Sequence, residues 1–189
     1  MVRKSLLIIS TIIIMSLIFG IRLGGESLSI SGSGNLFMSK DNNYKKFYGE
    51  KVFFPEGKMD ISFTENLYVW GAYGLFTREG ETESLKSPAK CNRSFIGFGG
   101  GVRIKIVTPL YIYIEGGGVF STFKEEGESF LSKGSKMGFT VNGGIRIDIV
   151  RGVYINMFGG YIGGSKMLLK GKEIDLGGVR AGGGLGLCF

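Results

Sequence analysis

The sequence predicts an all-β fold, an eight-stranded antiparallel up-and-down transmembrane β-barrel, on three observations. Apolar and polar residues alternate through eight segments. The connections between those segments are tight and long in turn. And 34 glycines stand beside 15 Phe and 8 Tyr, with only 3 Pro, in 189 residues. Glycine weakens helices and suits tightly curved strands, so this mixture points to β structure rather than helix or linker.

Residues 1–25 read as a secretory signal peptide, with an uncleaved signal anchor as the alternative. Arg3 and Lys4 precede an apolar run from Leu6 to Ile21. That run is shorter than the about 20 residues a spanning helix needs. Gly20 and Gly25 are both candidate last residues of the leader, which leaves the cleavage point open. Residues 26–189 then form one barrel domain. Removing Arg3, Lys4 and Arg22 takes the 23 basic residues to 20 against 16 acidic ones, so the charge falls from +7 to +4. An exported chain with so thin a basic excess is not a nucleic-acid binder.

The strands follow in order. In 27–38, Leu28, Ile30 and Leu36 oppose Ser29, Ser31, Ser33 and Asn35. In 58–63, Met59, Ile61 and Phe63 oppose Lys58, Asp60 and Ser62, and a turn at 64–66 leads to strand 67–77. In 95–106, Ile96, Phe98, Val102, Ile104 and Ile106 share a face, opposite Arg103 and Lys105. A turn at 107–109 leads to 110–123, where Leu110, Ile112, Ile114 and Phe120 oppose Glu115. In 137–150, Met137, Phe139, Val141, Ile145, Ile147 and Ile149 oppose Thr140, Asn142, Arg146 and Asp148. A turn at 150–152 leads to 153–164. The last strand puts Val179, Ala181, Leu185, Leu187 and Phe189 on one face, with Arg180, Cys188 and glycines on the other. The connections at 39–56, 78–92, 125–135 and 166–175 are longer and rich in Lys and Glu.

Eight such strands close most simply as a barrel, with the apolar face inside for a soluble lipid binder or outside for a membrane barrel. The outside reading wins. Glycine with charges suits a lumen barely wide enough for side chains. About ten alternating residues suit a tilted spanning strand. Loops short at one end and long at the other are the outer-membrane pattern.

With the terminal "LGLCF", these features resemble the small outer-membrane barrels of the OmpA transmembrane-domain, OmpX and opacity-protein type. The resemblance covers residues 26–189. It implies integral placement in a bacterial outer membrane, contact with lipid including lipopolysaccharide, and a last strand read by the barrel assembly machinery. Phe189, Leu187, Leu185 and Ala181 carry that assembly pattern, with Gly183 as its one gap. No particular activity is implied.

The polar faces gather Lys58, Asp60, Arg103, Lys105, Glu115, Arg146, Asp148 and Arg180 in the lumen. Buried charges must pair, so an ion-pair network is expected, with Glu115 joined to Arg103, Arg146 or both. Such a lumen is plugged, and the function is a structural or surface-interaction role. The alternative is a narrow channel or transporter for small or hydrophobic solutes. In the first long loop, Tyr44, Lys45, Lys46, Phe47 and Tyr48 interleave aromatics with lysines. They suit lipid headgroups such as lipopolysaccharide phosphates, an extracellular protein partner, or a lid on the barrel rim.

Enzyme chemistry is not expected. The chain has no histidine, hence no Ser-His-Asp set and none of the commonest metal ligand. The glycine strings "GFGGG" and "GGGLG" lack the Lys-Ser/Thr of a phosphate loop. No cofactor or metal is implied. Cys91 and Cys188 fall at opposite ends of the barrel, too far apart to bond.

Overall fold

The computed structural model describes residues 27–42, 45, 50–81, 88–127, 130–164, 166–169 and 172–189. The leader, residue 26, and Tyr44, Lys46, Phe47 and Tyr48 of the first loop lie outside them. Eight strands close into one antiparallel barrel: β1 (Ser27–Ser39), β2 (Lys51–Ser62), β3 (Leu67–Glu81), β4 (Pro88–Val107), β5 (Leu110–Gly127), β6 (Phe130–Val150), β7 (Val153–Gly163) and β10 (Gly178–Cys188). Between the last two, β8 (Lys166–Leu169) and β9 (Lys172–Asp175) form a separate small hairpin. Closure comes from β1, which pairs with β2 on one side and β10 on the other.

The tight turns and both strand termini share one end. At β2–β3 the Thr64 hydroxyl accepts from the Asn66 and Leu67 amides at 3.2 and 2.9 Å. Gly152 closes the β6–β7 turn at φ +82°, a left-handed conformation that favours glycine. At the same end the Phe189 amide donates to the Leu28 carbonyl at 2.8 Å, which fastens the end of the chain to the first strand. Cys91 sits at the far end and Cys188 near this one, and neither forms a disulfide.

The apolar faces read from the sequence point outward, and so do Leu67 and Val69 of β3 and Ile155 and Met157 of β7. Ile114 and Leu185 are each 61% exposed and Phe98 53%. In water such a belt would cost about 25 cal/mol per Å² of apolar surface. Facing lipid it costs nothing, and a belt around a closed barrel is a membrane surface.

The strands outrun their predicted limits. β2 starts at Lys51, β3 reaches Glu81, β4 starts at Pro88, β5 reaches Gly127, β6 starts at Phe130, and the last connection carries β8 and β9. Most of the residues expected to form long loops are therefore strand. The reason is physical: above the membrane the ladder needs only backbone hydrogen bonds, so strands persist after the apolar alternation stops. Pro55 marks another boundary. The β1–β2 ladder runs on to Met38 opposite Lys51, but the β2–β3 ladder stops at Glu56 opposite Gly74. Proline has no N–H to offer a neighbouring strand.

The close approach of β4 to β5 requires glycine at two positions. A Cβ on Gly99 would strike the Gly116 carbonyl across the β4–β5 ladder, and one on Gly117 would strike the Phe98 carbonyl. Gly57, by contrast, has nothing within 4 Å of its would-be Cβ. Gly99→Ala is expected to destabilise the barrel by at least about 1–3 kcal/mol. Gly57→Ala should be neutral or slightly stabilising. Urea unfolding midpoints in lipid vesicles check the contrast, and equal midpoints for the two variants would contradict it.

Candidate functional site: the filled lumen

The inward side chains form three storeys. At the long-loop end, alternate residues of β1 to β4 bring Phe37, Val52, Phe54, Phe76 and Phe95 inward, joined by Val119 and Ile162, all at least 95% buried. The Phe95 ring lies 5.5–6.0 Å from those of Phe37, Phe54 and Phe76 in tilted contact, a favourable aromatic arrangement. The Arg93 guanidinium, 2% exposed, stands 4.5 Å from the Phe95 ring and 5.0 Å from that of Phe37. It donates to the Leu176 carbonyl, just before β10.

The middle storey is one chain of hydrogen bonds closed by an ion pair. Glu56 on β2 holds Arg180 on β10 at 2.5 Å. Arg180 Nε donates to Asn142 Oδ1 on β6 at 3.0 Å, and Asn142 Nδ2 donates to Glu115 Oε1 on β5 at 3.0 Å. Glu115 Oε2 accepts from Lys58 Nζ at 2.5 Å and Tyr68 Oη at 3.0 Å. Lys58 also reaches Asp60 at 3.3 Å, so the chain starts and ends on β2. Both arms of the Asn142 amide are used with donor and acceptor in their proper places. Every charge in this storey has an opposite charge beside it, as burial demands.

The third storey lies toward the tight turns. Arg146 pairs with Asp148 at 2.7 Å and stacks 3.8 Å from the centre of the Tyr154 ring. Arg103 stacks 4.9 Å from the centre of the Tyr68 ring, and cations over aromatic faces are attracted by the ring quadrupole. Among the described residues, cavities of about 10 Å³ lie beside Asp60 and Arg146 and beside Glu56 and Arg180. Each has room for about one water.

Of the eight lumen residues read from the sequence, Asp60, Glu115, Arg146 and Arg180 are buried together, and Lys58 and Arg103 are half-buried among them. Asp148 is 34% exposed at its side chain but holds Arg146. Lys105 keeps the inward register, yet it is exposed at the tight-turn rim, where the lumen opens to solvent. Glu115 takes Lys58 rather than Arg103 or Arg146, because a lysine on β2 reaches across the lumen while both arginines settle on tyrosine rings nearer the mouth.

Sequence reasoning missed Glu56, Arg93 and the inward phenylalanines. The signal was present, since Val52, Phe54, Glu56, Lys58 and Asp60 keep a period of two. It was masked because Phe53 and Phe54 make both faces apolar, and Pro55 reads as a break. Arg93→Met is expected to free the segment before β10. Losing a charged hydrogen bond of about 2 kcal/mol raises local opening more than tenfold. Trypsin cleavage after Lys166 or Lys172 should then accelerate accordingly, and an unchanged rate would show that Arg93 does not hold this segment.

Among the described residues no group of His, Cys, Asp or Glu is arranged to hold a metal. A closed barrel with a lipid-type exterior and a filled polar lumen is an integral membrane barrel of the outer-membrane type. Solved structures share this fold. Outer membrane protein OprG from Pseudomonas aeruginosa matches with a TM-score of 0.70 at 12% identity, over 87% of this chain and 96% of that one. Neisserial surface protein A matches with 0.61 at 12% identity, over 88% and 98%. Ail, the attachment invasion locus protein of Yersinia pestis, matches with 0.56 at 16% identity, over 87% and 99%. No protein-family profile matches the sequence, and no curated protein matches it significantly.

Proposed function

We propose that the protein is a non-enzymatic barrel of the bacterial outer membrane, with a plugged lumen and an outer end that serves as a contact surface. The observation that carries this reading is the unbroken chain from Glu56 to Asp60, overlaid by the Arg93 aromatic cluster. A solute would have to part both. What remains available for interaction is the outer end, where β3 to β6 stand above the belt and Lys40, Lys51, Lys90, Lys133 and Lys136 are exposed. These lysines, of which Lys90 stands between Glu79 and Glu126 in its ladders, offer contacts to anionic groups of an extracellular partner. Ail has been solved in complex with the heparin analogue sucrose octasulfate, at 17% identity and a TM-score of 0.53 to this chain. That pairing gives the reading a precedent in a similar fold. We assign the terminal Phe189, Leu187 and Leu185, all facing lipid, to recognition by the barrel assembly machinery.

Planar-bilayer recording tests the plug. The purified barrel is expected to give no conductance steps. Steady steps in the wild-type protein, altered by Glu115→Gln, would replace this reading with the narrow channel.

A further inference from the structure

We propose that the tight-turn mouth of the lumen binds a carboxylate, held by Arg103 and Arg146 with Lys105 at the rim. The proposal rests on the plugged-barrel reading. It adds a site beneath the plug, at the end that faces the periplasm in barrels of this class.

The ladders place the three cations together. Lys105, Tyr111 and Arg146 stand side by side on β4, β5 and β6, and Arg103 lies one inward-facing step further along β4. Neighbouring strands are about 5 Å apart and successive inward residues about 7 Å, so side chains of this length reach a common point. Arg103 and Arg146 line the same cavity of about 10 Å³, which Asp60 and Asn156 also border. It takes one oxygen atom. The rest of a ligand stays in the open mouth beside Lys105, which is exposed.

This end of the lumen sets Lys58, Arg103, Lys105 and Arg146 against Asp60, Glu115 and Asp148, so four cations less three carboxylates leave one positive charge. The carboxylates are committed, Asp60 and Glu115 to Lys58 and Asp148 to Arg146. Glu65 and Arg151, one of each sign, are exposed in the turns outside the lumen. The terminal carboxylate lies beside β1, across the ring of strands from β5.

The arginines also lack acceptors. Arg103 lies over the Tyr68 ring and has no hydrogen-bond acceptor among the described residues. Arg146, 7% exposed, gives Nε to Asp148 and bonds the Cys188 thiol, yet its Nη1 is buried without an acceptor. Asn156 Oδ1, in the same cavity, is buried without a donor, and rotation of that amide presents its N–H groups instead. One carboxylate brings the charge count to neutral, as burial demands, whereas a dianionic phosphate overshoots. Its two in-plane oxygens match the edges of a guanidinium, and rings over the faces leave those edges free.

The full chain in phosphatidylcholine vesicles is titrated with acetate or alanylalanine on both sides of the membrane, with chloride holding ionic strength constant. The temperature at which folded gel mobility is lost is followed, and both probes are expected to raise it. Arg103→Gln should raise the concentration needed at least about tenfold, the loss of a charged hydrogen bond. Lys105→Gln should raise it about threefold, as for an exposed charge pair. Lys51→Gln, at the outer end, should match wild type. Alanylalanine acting at lower concentration than acetate assigns the site to the carboxyl end of a peptide, and equal action assigns it to free acids. An equal rise with alanylalanine amide, which lacks the carboxylate, overturns the site. So does a wild-type response from either folded variant of the mouth. A wild-type chain with no folded mobility in any vesicle fails the barrel reading itself, whereas a folded barrel indifferent to both probes fails only this site.

Discussion

Glu115→Ala is expected to destabilise the folded barrel by about 3–5 kcal/mol, the cost of removing one partner from a buried ion pair. Glu115 is 6% exposed and accepts from three donors, Lys58, Tyr68 and Asn142. Its loss leaves Lys58 with Asp60 alone at 3.3 Å, and leaves the Tyr68 hydroxyl and the Asn142 amide without this acceptor. Glu115→Gln retains an acceptor of similar shape and should cost less, about 2 kcal/mol. Because a buried pair removed whole is far less damaging than one partner removed, Lys58→Met with Glu115→Leu should recover much of the loss. Urea unfolding in vesicles, followed by gel mobility, reads all of these. A Glu115→Ala barrel with the wild-type midpoint would show that the hydrogen-bonded chain contributes nothing to the fold.

Deleting Phe189 is expected to remove most of the protein from the outer-membrane fraction of cells while leaving the purified, refolded barrel almost as stable as before. The residue is 51% exposed on the lipid face. Its packing contribution is therefore limited to about 2 kcal/mol, and the Phe189 amide bond to Leu28 is one among many in the β1–β10 seam. A terminal aromatic that mattered only for packing would lower refolded stability and cellular yield together. An assembly signal lowers yield alone. Parallel refolding and fractionation of the deletion and of Phe189→Tyr separate the two, and normal yield from the deletion would end the assembly assignment.

The membrane part of the fold was legible because lipid imposes a rule on it. Along 137–150 and 177–189, every outward position must be apolar or small and every inward one must fit a narrow lumen. The period of two is then visible in the residues themselves. The rule lapses at the long-loop end. There Phe37, Phe54, Phe76 and Phe95 turn inward to make an apolar seal, while Ser94, Thr122 and Ser135 face out above the belt. Alternation inverts, and the strands read as loops although their backbones stay paired. Pairing inside the lumen was less legible still. Side chains there meet across the barrel as well as along a ladder, so Lys58 with Glu115 and Glu56 with Arg180 join strands distant in sequence. Only closure of β1 on β10 brings Arg180 to Glu56.

Heat-modifiability of the protein extracted from outer-membrane fractions tests the central claim most directly. Unboiled and boiled samples are run side by side on a detergent gel. A closed, lipid-supported barrel is expected to stay folded in detergent and to change mobility only on boiling. Identical mobility, with the protein recovered from the soluble fraction, would contradict the account. The apolar faces would then have to line a cavity rather than meet a membrane.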